Sequence, residues 1–324
     1  MEKQYDVTAL GELLIDFTDS GVSGQGNALF EANPGGAPCN VLAMLNKLGY
    51  KTAFIGKVGN DIFGNHLKGV LEGLKVDISG LVMDEECRTT LAFVKNQPDG
   101  DRDFSFYRNP GADMMLRAEE VREELIQKSR IFHFGTLSMT HEEVREATKH
   151  ALAIAKEGGC LISFDPNIRE PLWDSLETAR EQVRYGLRYC DVLKISDNEI
   201  QWLTGKEDYT EGVLMLQEEF HIPLILLSMG KEGSRAYYQK NGRDMIVEAE
   251  AFLQEATIET TGAGDTFMGS CLHFILENGL EELSVEKLGK MLTFANAAAS
   301  IITTRKGALR VMPERKEIEQ LLLR

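Results

Sequence analysis

Near its C-terminus the chain reads "IETTGAGDTFMGS", Ile258 to Ser270, which sets one carboxylate, Asp265, directly behind Gly262, Ala263 and Gly264. The run that follows, "TFMGSCLHFIL", has a helical pattern, so Asp265 falls in the first turn. A helix N-terminus carries partial positive charge and unpaired N–H groups, and is a ready anion site. A carboxylate there is either a plain N-cap behind ordinary turn glycines or a group placed for chemistry. The motif alone leaves both readings open.

Other polar residues carry the same ambiguity. In "NPGGAPCNVLAMLNKLG", Gly35 and Gly36 allow close backbone approach and Pro38 suits a first helical turn. Asn40 then lies inside that turn, as a misplaced cap or as a hydrogen-bonding partner for a polyol. Asp16 ends the first strand, where open α/β sheets place their ligand crevice, although a turn-initiating Asp looks the same. "SFDPNIREPLW" puts Asp165, Asn167 and Arg169 just past another strand end, again as crevice residues or as a turn. "LKISDNEIQWLTG" places Ser196 and Glu199 in the S-x-x-E spacing of a capping box. His133, in "RIFHFG", reads as a packed strand residue. The stretch "GNDIFGNH" at Gly59 lacks the lysine of a phosphate-binding P-loop, and "GELLID" at Gly11 lacks the dinucleotide fingerprint. Any nucleotide is held by other means.

The elements that must position these groups alternate. "DVTALGELLIDF", "KTAFIGKVG", "RIFHFG", "CLISFD", "DVLKIS" and "IPLILLS" read as strands apolar on both faces. Between them lie helical patterns over Pro38–Gly49, Ile62–Leu74, His141–Lys156, Leu176–Arg188 and Glu211–Glu219. This rhythm predicts an α/β fold with a mostly parallel sheet covered on both sides, in one domain of residues 1–324. Two segments break it. Ser20–Pro34 is polar and glycine-rich, and Thr89–Arg108 alternates around a "PDG" turn, a hairpin signature. These predict a small β flap, with lid segments over about residues 16–34 and 88–112.

Composition excludes several classes. A net charge of −16 over 324 residues argues against a nucleic-acid groove or an anionic membrane surface. The 5 cysteines are scattered without CxxC spacing and read as reduced thiols. The charged start "MEKQYD" and the shortness of the most apolar run predict a cytoplasmic protein that binds no membrane.

"GGAPCN" with "GKVGNDIFG", and "TTGAGDTF" near the other end, resemble the paired signatures of the PfkB-type, ribokinase-like carbohydrate kinases. The similarity runs along essentially the whole chain. "ALGELLIDF", "FYRNPGADMML", "FHFGTLSM", "FDPNIR" and "RKGA" are most like the fructokinase branch. The resemblance implies a three-layer sandwich with a β lid, and transfer of the γ-phosphoryl of ATP, with Mg²⁺, to a sugar hydroxyl. It makes Asp265 the general base, and the Gly262, Ala263 and Gly264 backbone the anion hole. It assigns Asp16, Gly35, Gly36 and Asn40 to sugar hydroxyls and makes the flap residue Arg108 a candidate contact to the far end of the sugar; Asp165 and Arg169, from their place past a strand end, are further candidate substrate contacts. Lys194, Ser228, Gly230, Gly233 and Asn296 match nucleotide-side positions. Glu199 matches the acidic residue that organises Mg²⁺ through water, but Ser196 stands where the family usually has Asn. Glu259 stands where an Asp usually serves a monovalent-cation site, which puts K⁺ activation in question. The expected reaction is fructose to fructose 6-phosphate. The alternatives are a 2-keto-3-deoxygluconate kinase, or a sugar sensor with an inactive site. The resemblance also suggests a homodimer through the lid.

Overall fold

The computed structural model describes residues 3–96, 102–240 and 243–323; the "PDG" turn expected at 98–100 lies outside them. The chain begins with β1 (Tyr5–Leu10), then leaves that sheet for an antiparallel hairpin of β2 (Leu14–Val22) and β3 (Ala28–Gly35). It returns through α1 (Ala37–Lys47), β4 (Thr52–Gly59), α2 (Ile62–Gly73) and β5 (Asp77–Asp84). A second excursion, β6 (Leu91–Asn96) and β7 (Arg102–Tyr107), joins the first hairpin. Regular alternation follows: α3 (Glu123–Gln127), β8 (Ser129–Gly135), α4 (Glu142–Glu157), β9 (Leu161–Asp165), α5 (Leu176–Leu187) and β10 (Val192–Ser196). Then come α6 (Asp197–Thr204), α7 (Tyr209–Phe220), β11 (Leu224–Ser228), the hairpin β12 (Ser234–Lys240) and β13 (Arg243–Ala249), and three helices, α8 (Ala263–Asn278), α9 (Val285–Ile302) and α10 (Arg315–Leu322).

The nine-stranded sheet runs β13-β12-β11-β10-β9-β8-β1-β4-β5, parallel from β5 to β11 and antiparallel at β12 and β13. Each face carries its own apolar core, as a doubly covered sheet requires. On β1, Val7 and Ala9 pack with Leu42 of α1, Leu272 of α8 and Leu292 of α9, while Leu10 packs on the other side with Leu152 of α4 and Val183 of α5. The small sheet has the order β3-β2-β6-β7.

The five expected helices are present, shifted by one or two residues at their ends. One expected strand is not a single strand. "DVTALGELLIDF" breaks after Leu10, and its two halves belong to different sheets. Gly11 is where the chain turns: a Cβ there would lie 2.5 Å from the Pro38 ring, so the crossing strand passes directly over the start of α1. Residues apolar on both faces do not reveal such a break, because both halves are equally buried. The hairpin β12–β13, which extends the large sheet, was also not visible in the strand pattern. All five cysteines are free thiols, four of them buried.

Candidate active site

The motif that raised the question builds a helix N-terminus, but Asp265 does not cap it. The N-cap of α8 is Gly262, in the left-handed region with φ 76°, and no side chain caps the helix. Asp265, two residues past the first helical position, turns its carboxylate outward, where Oδ2 accepts a hydrogen bond from Asn40 Nδ2 at 2.7 Å. Asn40 reaches it from the first turn of α1, and its Oδ1 is buried without a partner in the protein. Burial raises the Asp265 pKa above the usual carboxylate range, and Asn40, Lys194 and Arg169 pull against that shift. A carboxylate held this way by one oxygen is a proton acceptor poised nearer neutrality than an exposed Asp.

Lys194 lies beneath the same helix start. Its Nζ pairs with Asp165 Oδ2 at 3.0 Å, and both side chains are almost wholly buried. Burial would lower the Lys194 pKa, but Asp165, Glu199 and Asp265 together raise it, so the ammonium stays charged. Gly264 lies against it: a Cβ there would come within 3.0 Å of Lys194 Nζ, close enough that the ammonium would have to shift. Asp165 is pushed up to about 6 by burial, against Lys194, with Glu199 and Asp265 adding to the rise.

Two cavities meet at this point. One, of about 320 Å³, lies under the small sheet and is lined by Asp16, Asn40, Arg169, Lys194, Gly264 and Asp265 among others. The other, of about 600 Å³, is lined by Ser228, Gly230, Gly233, Ala263, Gly264 and Asn296 with the 251–257 loop. Thr260 and Gly264 line both. The arrangement suits two substrates that approach one helix N-terminus from opposite sides, with the acceptor's proton taken at Asp265.

The comparisons with known proteins agree with this geometry. The profile of the pfkB family carbohydrate kinases matches residues 4–315. The chain belongs to that family. It is 43% identical over 309 residues to a probable fructokinase-2 of Arabidopsis thaliana, covering 95% of this chain and 92% of that protein. The solved structure of a Xylella fastidiosa fructokinase with bound ATP superposes with a TM-score of 0.87 at 29% identity, over 98% of each chain. A double mutant of the Vibrio cholerae O395 fructokinase, in a form with fructose, ADP and potassium bound, gives 0.86 at 30% identity over 99% of each. The fold is therefore ribokinase-like, with the lid sheet over the large sheet's crevice.

Within this kinase fold most of the anticipated residues converge, and a few do not. Asp16, Gly36, Asn40, Arg169, Lys194, Glu199, Glu259, Gly262, Gly264 and Asp265 line the smaller cavity. Gly35 stands beside it, its bare Cα facing the Asp16 carboxylate. Gly36 has φ 133°, and a Cβ there would strike the Glu12 carbonyl, so only glycine starts α1 this close to β2. Asp165 sits behind Lys194 rather than in the cavity wall, with Oδ1 accepting the Asn167 amide. The Ala263 amide donates to Thr260 O at 3.2 Å and faces the larger cavity, which leaves Gly262 and Gly264 on the Asp265 side. Asn296 lines the larger cavity, but its amide is spent on Ser234 and on the carbonyls of Ala249 and Glu250. Arg108 is the clear correction. It does not reach the cavity: its guanidinium is buried against Asp113, Thr140 and the Leu137 carbonyl, because those partners compete with open cavity for its five donors.

Ser196 and Glu199 do form the capping box of α6. Glu199 Oε1 accepts the Ile168 amide, and Oε2 accepts the amide and hydroxyl of Ser196. Burial would raise its pKa, but Lys194 and these amides outweigh it, so Glu199 is an anion at the cavity wall. No cluster of three metal-ligating side chains exists among the described residues. Mg²⁺ keeps several waters and phosphate oxygens and uses one or two carboxylates, of which Glu199 would be one here. His133 is held neutral, its pKa lowered to about 3 by burial and by Lys194, and it bonds Ser163.

Sequence reasoning missed Glu12. It hides in the apolar run of β1–β2, yet it lines the cavity and its Oε1 accepts the Ala37 amide at 2.6 Å, closing the N-terminus of α1. Burial, with Asp113 and Asp265 adding to it, lifts its pKa to about 7 against those amides. An unfolded Glu titrates near about 4.3. Between these values the native state holds a proton that the unfolded chain has lost. Glu12 therefore stabilises the fold fully below about pH 4, and that contribution disappears as the pH rises through 7. Glu12→Gln keeps an acceptor for Ala37. It should raise stability by about 1–3 kcal/mol at pH 8 and change little at pH 5. Urea unfolding at the two pH values checks this, and an equal gain at both would mean that charge is not the cause.

Proposed function

We propose that the protein is an ATP-dependent fructokinase, making fructose 6-phosphate in the cytoplasm. The observation that carries this reading is the junction of the two cavities at Gly264, with the Asn40-held carboxylate of Asp265 on the sugar side. The relatives named fructokinase support the choice of sugar.

Fructose lies in the smaller cavity, its hydroxyls donating to Asp16 and Asp265 and meeting the unpartnered Oδ1 of Asn40. ATP lies in the larger one, its triphosphate running from Ser228 and Gly230 toward Gly264. Asp265 takes the proton of the attacking hydroxyl. The Gly262 and Gly264 backbone and Lys194 face the transferring group, so charge that builds on it meets fixed positive ends of dipoles and one ammonium. Mg²⁺, anchored through water on Glu199, would supply charge neutralisation on the phosphates. Glu259 Oε1 accepts the Gly307 amide at 2.7 Å, so the longer side chain is tied to the C-terminal loop. A monovalent-cation site here rests on a carboxylate that is already engaged, and weak K⁺ activation follows. The exposed Val22, Leu29, Phe30 and Tyr107 of the lid sheet favour a homodimer through that sheet.

One observation favours a sugar acid instead. Arg169 is an exposed guanidinium on the cavity wall, whose Nη1 donates to the Ile168 carbonyl at 3.1 Å. Against it stand Glu12, Asp16, Glu199, Glu259 and Asp265, five carboxyl groups around the same small cavity. Burial pushes Asp16 up to about 7, with Arg169 opposing and Glu259 and Asp265 adding. A further anion would meet that repulsion. Fructose should therefore be phosphorylated with kcat/KM at least about 10-fold above 2-keto-3-deoxygluconate, a gap of about 1.4 kcal/mol. A coupled ADP assay over fructose, ribose, glucose, tagatose and the sugar acid, repeated in potassium and tetramethylammonium buffers, decides the matter. Preference for the acid, abolished by Arg169→Ala, overturns the substrate. No ADP formation with any sugar would favour the sensor.

A further inference from the structure

Arg108 and Asp113 form a buried ion pair with no part in the chemistry described above. Both side chains are 2% exposed, and two nitrogens of Arg108 meet Asp113 Oδ2, Nε at 2.8 Å and Nη2 at 2.7 Å. A buried pair is a poor source of stability, since desolvation offsets most of the attraction. Its position suggests another use. Arg108 is the residue that follows β7, and Thr90 is the residue that precedes β6. Thr90 Oγ1 donates to the other oxygen of Asp113, so one carboxylate holds both ends of the lid's β6–β7 hairpin. The Thr90 carbonyl also accepts the Ile15 amide at the start of β2. Three lid strands thus leave the body of the protein at one node.

The node is anchored on the body side as well. Arg108 Nη1 donates to Thr140 Oγ1 at 2.9 Å and Nη2 to the Leu137 carbonyl at 3.0 Å. Leu137 lines the smaller cavity from the body, while Val94 and Phe106 line it from the lid strands that start and end at the node. Asp16 and Thr18 line it from β2. We propose that the Arg108–Asp113 pair is the hinge pin of the lid, a positioning device that sets the angle at which the small sheet lies over the sugar cavity. Arg108 therefore acts on the sugar without touching it. This rests on the smaller cavity being the acceptor site, so one readout below does not depend on which sugar binds.

The test is the double variant Arg108→Met/Asp113→Asn, which removes both charges together and strands neither. Hydrogen–deuterium exchange on the sugar-free protein should show β2, β6 and β7 amides exchanging at least about 10-fold faster, with β8 to β11 unchanged. In the coupled assay, KM for the sugar that the native protein prefers should rise at least about 10-fold, while KM for ATP stays within about twofold. Arg108→Lys keeps the charge but loses the fork to Thr140 and Leu137, and should fall between the two. If the double variant does not fold, the lysine variant carries both readouts. Lid exchange and sugar KM both within about twofold of native, in folded protein, would show the pair to be mere packing and overturn the proposal. A rise in exchange across both sheets alike would do the same. Failure of the fructose assignment itself would appear as no fructose turnover by the native protein, with the exchange result unaffected.

Discussion

Asp265→Asn lowers kcat by about 10²–10⁴-fold, the scale expected when a general base is removed from a site that is otherwise intact. Asn has the same size, so the hydrogen bond from Asn40 and the start of α8 should survive. KM for sugar should move only a few-fold, because Asp16 and Asn40 still face the cavity. Thermal stability should not fall, since the variant removes a buried carboxylate whose pKa burial has already raised. Steady-state kinetics with fructose and ATP, beside a melting curve, make the measurement. Near-normal turnover in the Asn variant would mean that the carboxylate is not the proton acceptor.

Lys194→Met should have the largest effect on stability. It removes one half of a pair in which both side chains are nearly inaccessible, leaving Asp165 a buried carboxylate without its cation. Breaking such a pair costs about 3–5 kcal/mol. The loss depends on pH in a defined direction. With Lys194 present, burial already lifts Asp165 to about 6. Without the ammonium the carboxyl is pushed higher still, so the folded variant binds a proton that the unfolded chain releases. Its stability therefore falls as the pH rises through that shifted pKa, and the deficit against the native protein should be largest at pH 8 and smaller near pH 5. Turnover should drop as well, because the fixed cation beneath Gly264 is gone. A deficit independent of pH would mean that packing, not charge, is what Lys194 contributes.

Several features of this protein were legible one segment at a time. The alternation of apolar runs with helical patterns specified the parallel sheet, because a strand buried on both faces leaves no polar alternation. "GAGD" before an apolar run located the start of α8, and "GGAP" that of α1, since glycine and proline act through local backbone geometry. The capping box at Ser196 and Glu199 was legible for the same reason, while the place of Glu199 at the cavity wall was anticipated only through the family resemblance.

What the tertiary structure decided concerns partners far apart in sequence. Asn40 and Asp265 are 225 residues apart, and nothing local to either says that one will hold the other. Arg108 follows a lid strand, and from its neighbours alone a guanidinium there points toward substrate as plausibly as away. Asp113, Thr140 and the Leu137 carbonyl together outbid the cavity, and only the packed structure brings all three within reach. Glu12 is the same case reversed: within an apolar run it resembles an interruption, until the start of α1 arrives to use its carboxylate. The sequence by itself determined most of the elements, the starts of α1 and α8 and the family, because these follow from short-range periodicity, backbone freedom and motif; the break after Leu10 and the β12–β13 hairpin were left to the fold. Which charges meet, which are held apart and which face the cavity was decided by tertiary packing, because electrostatic and hydrogen-bond energies depend on distances in space rather than along the chain.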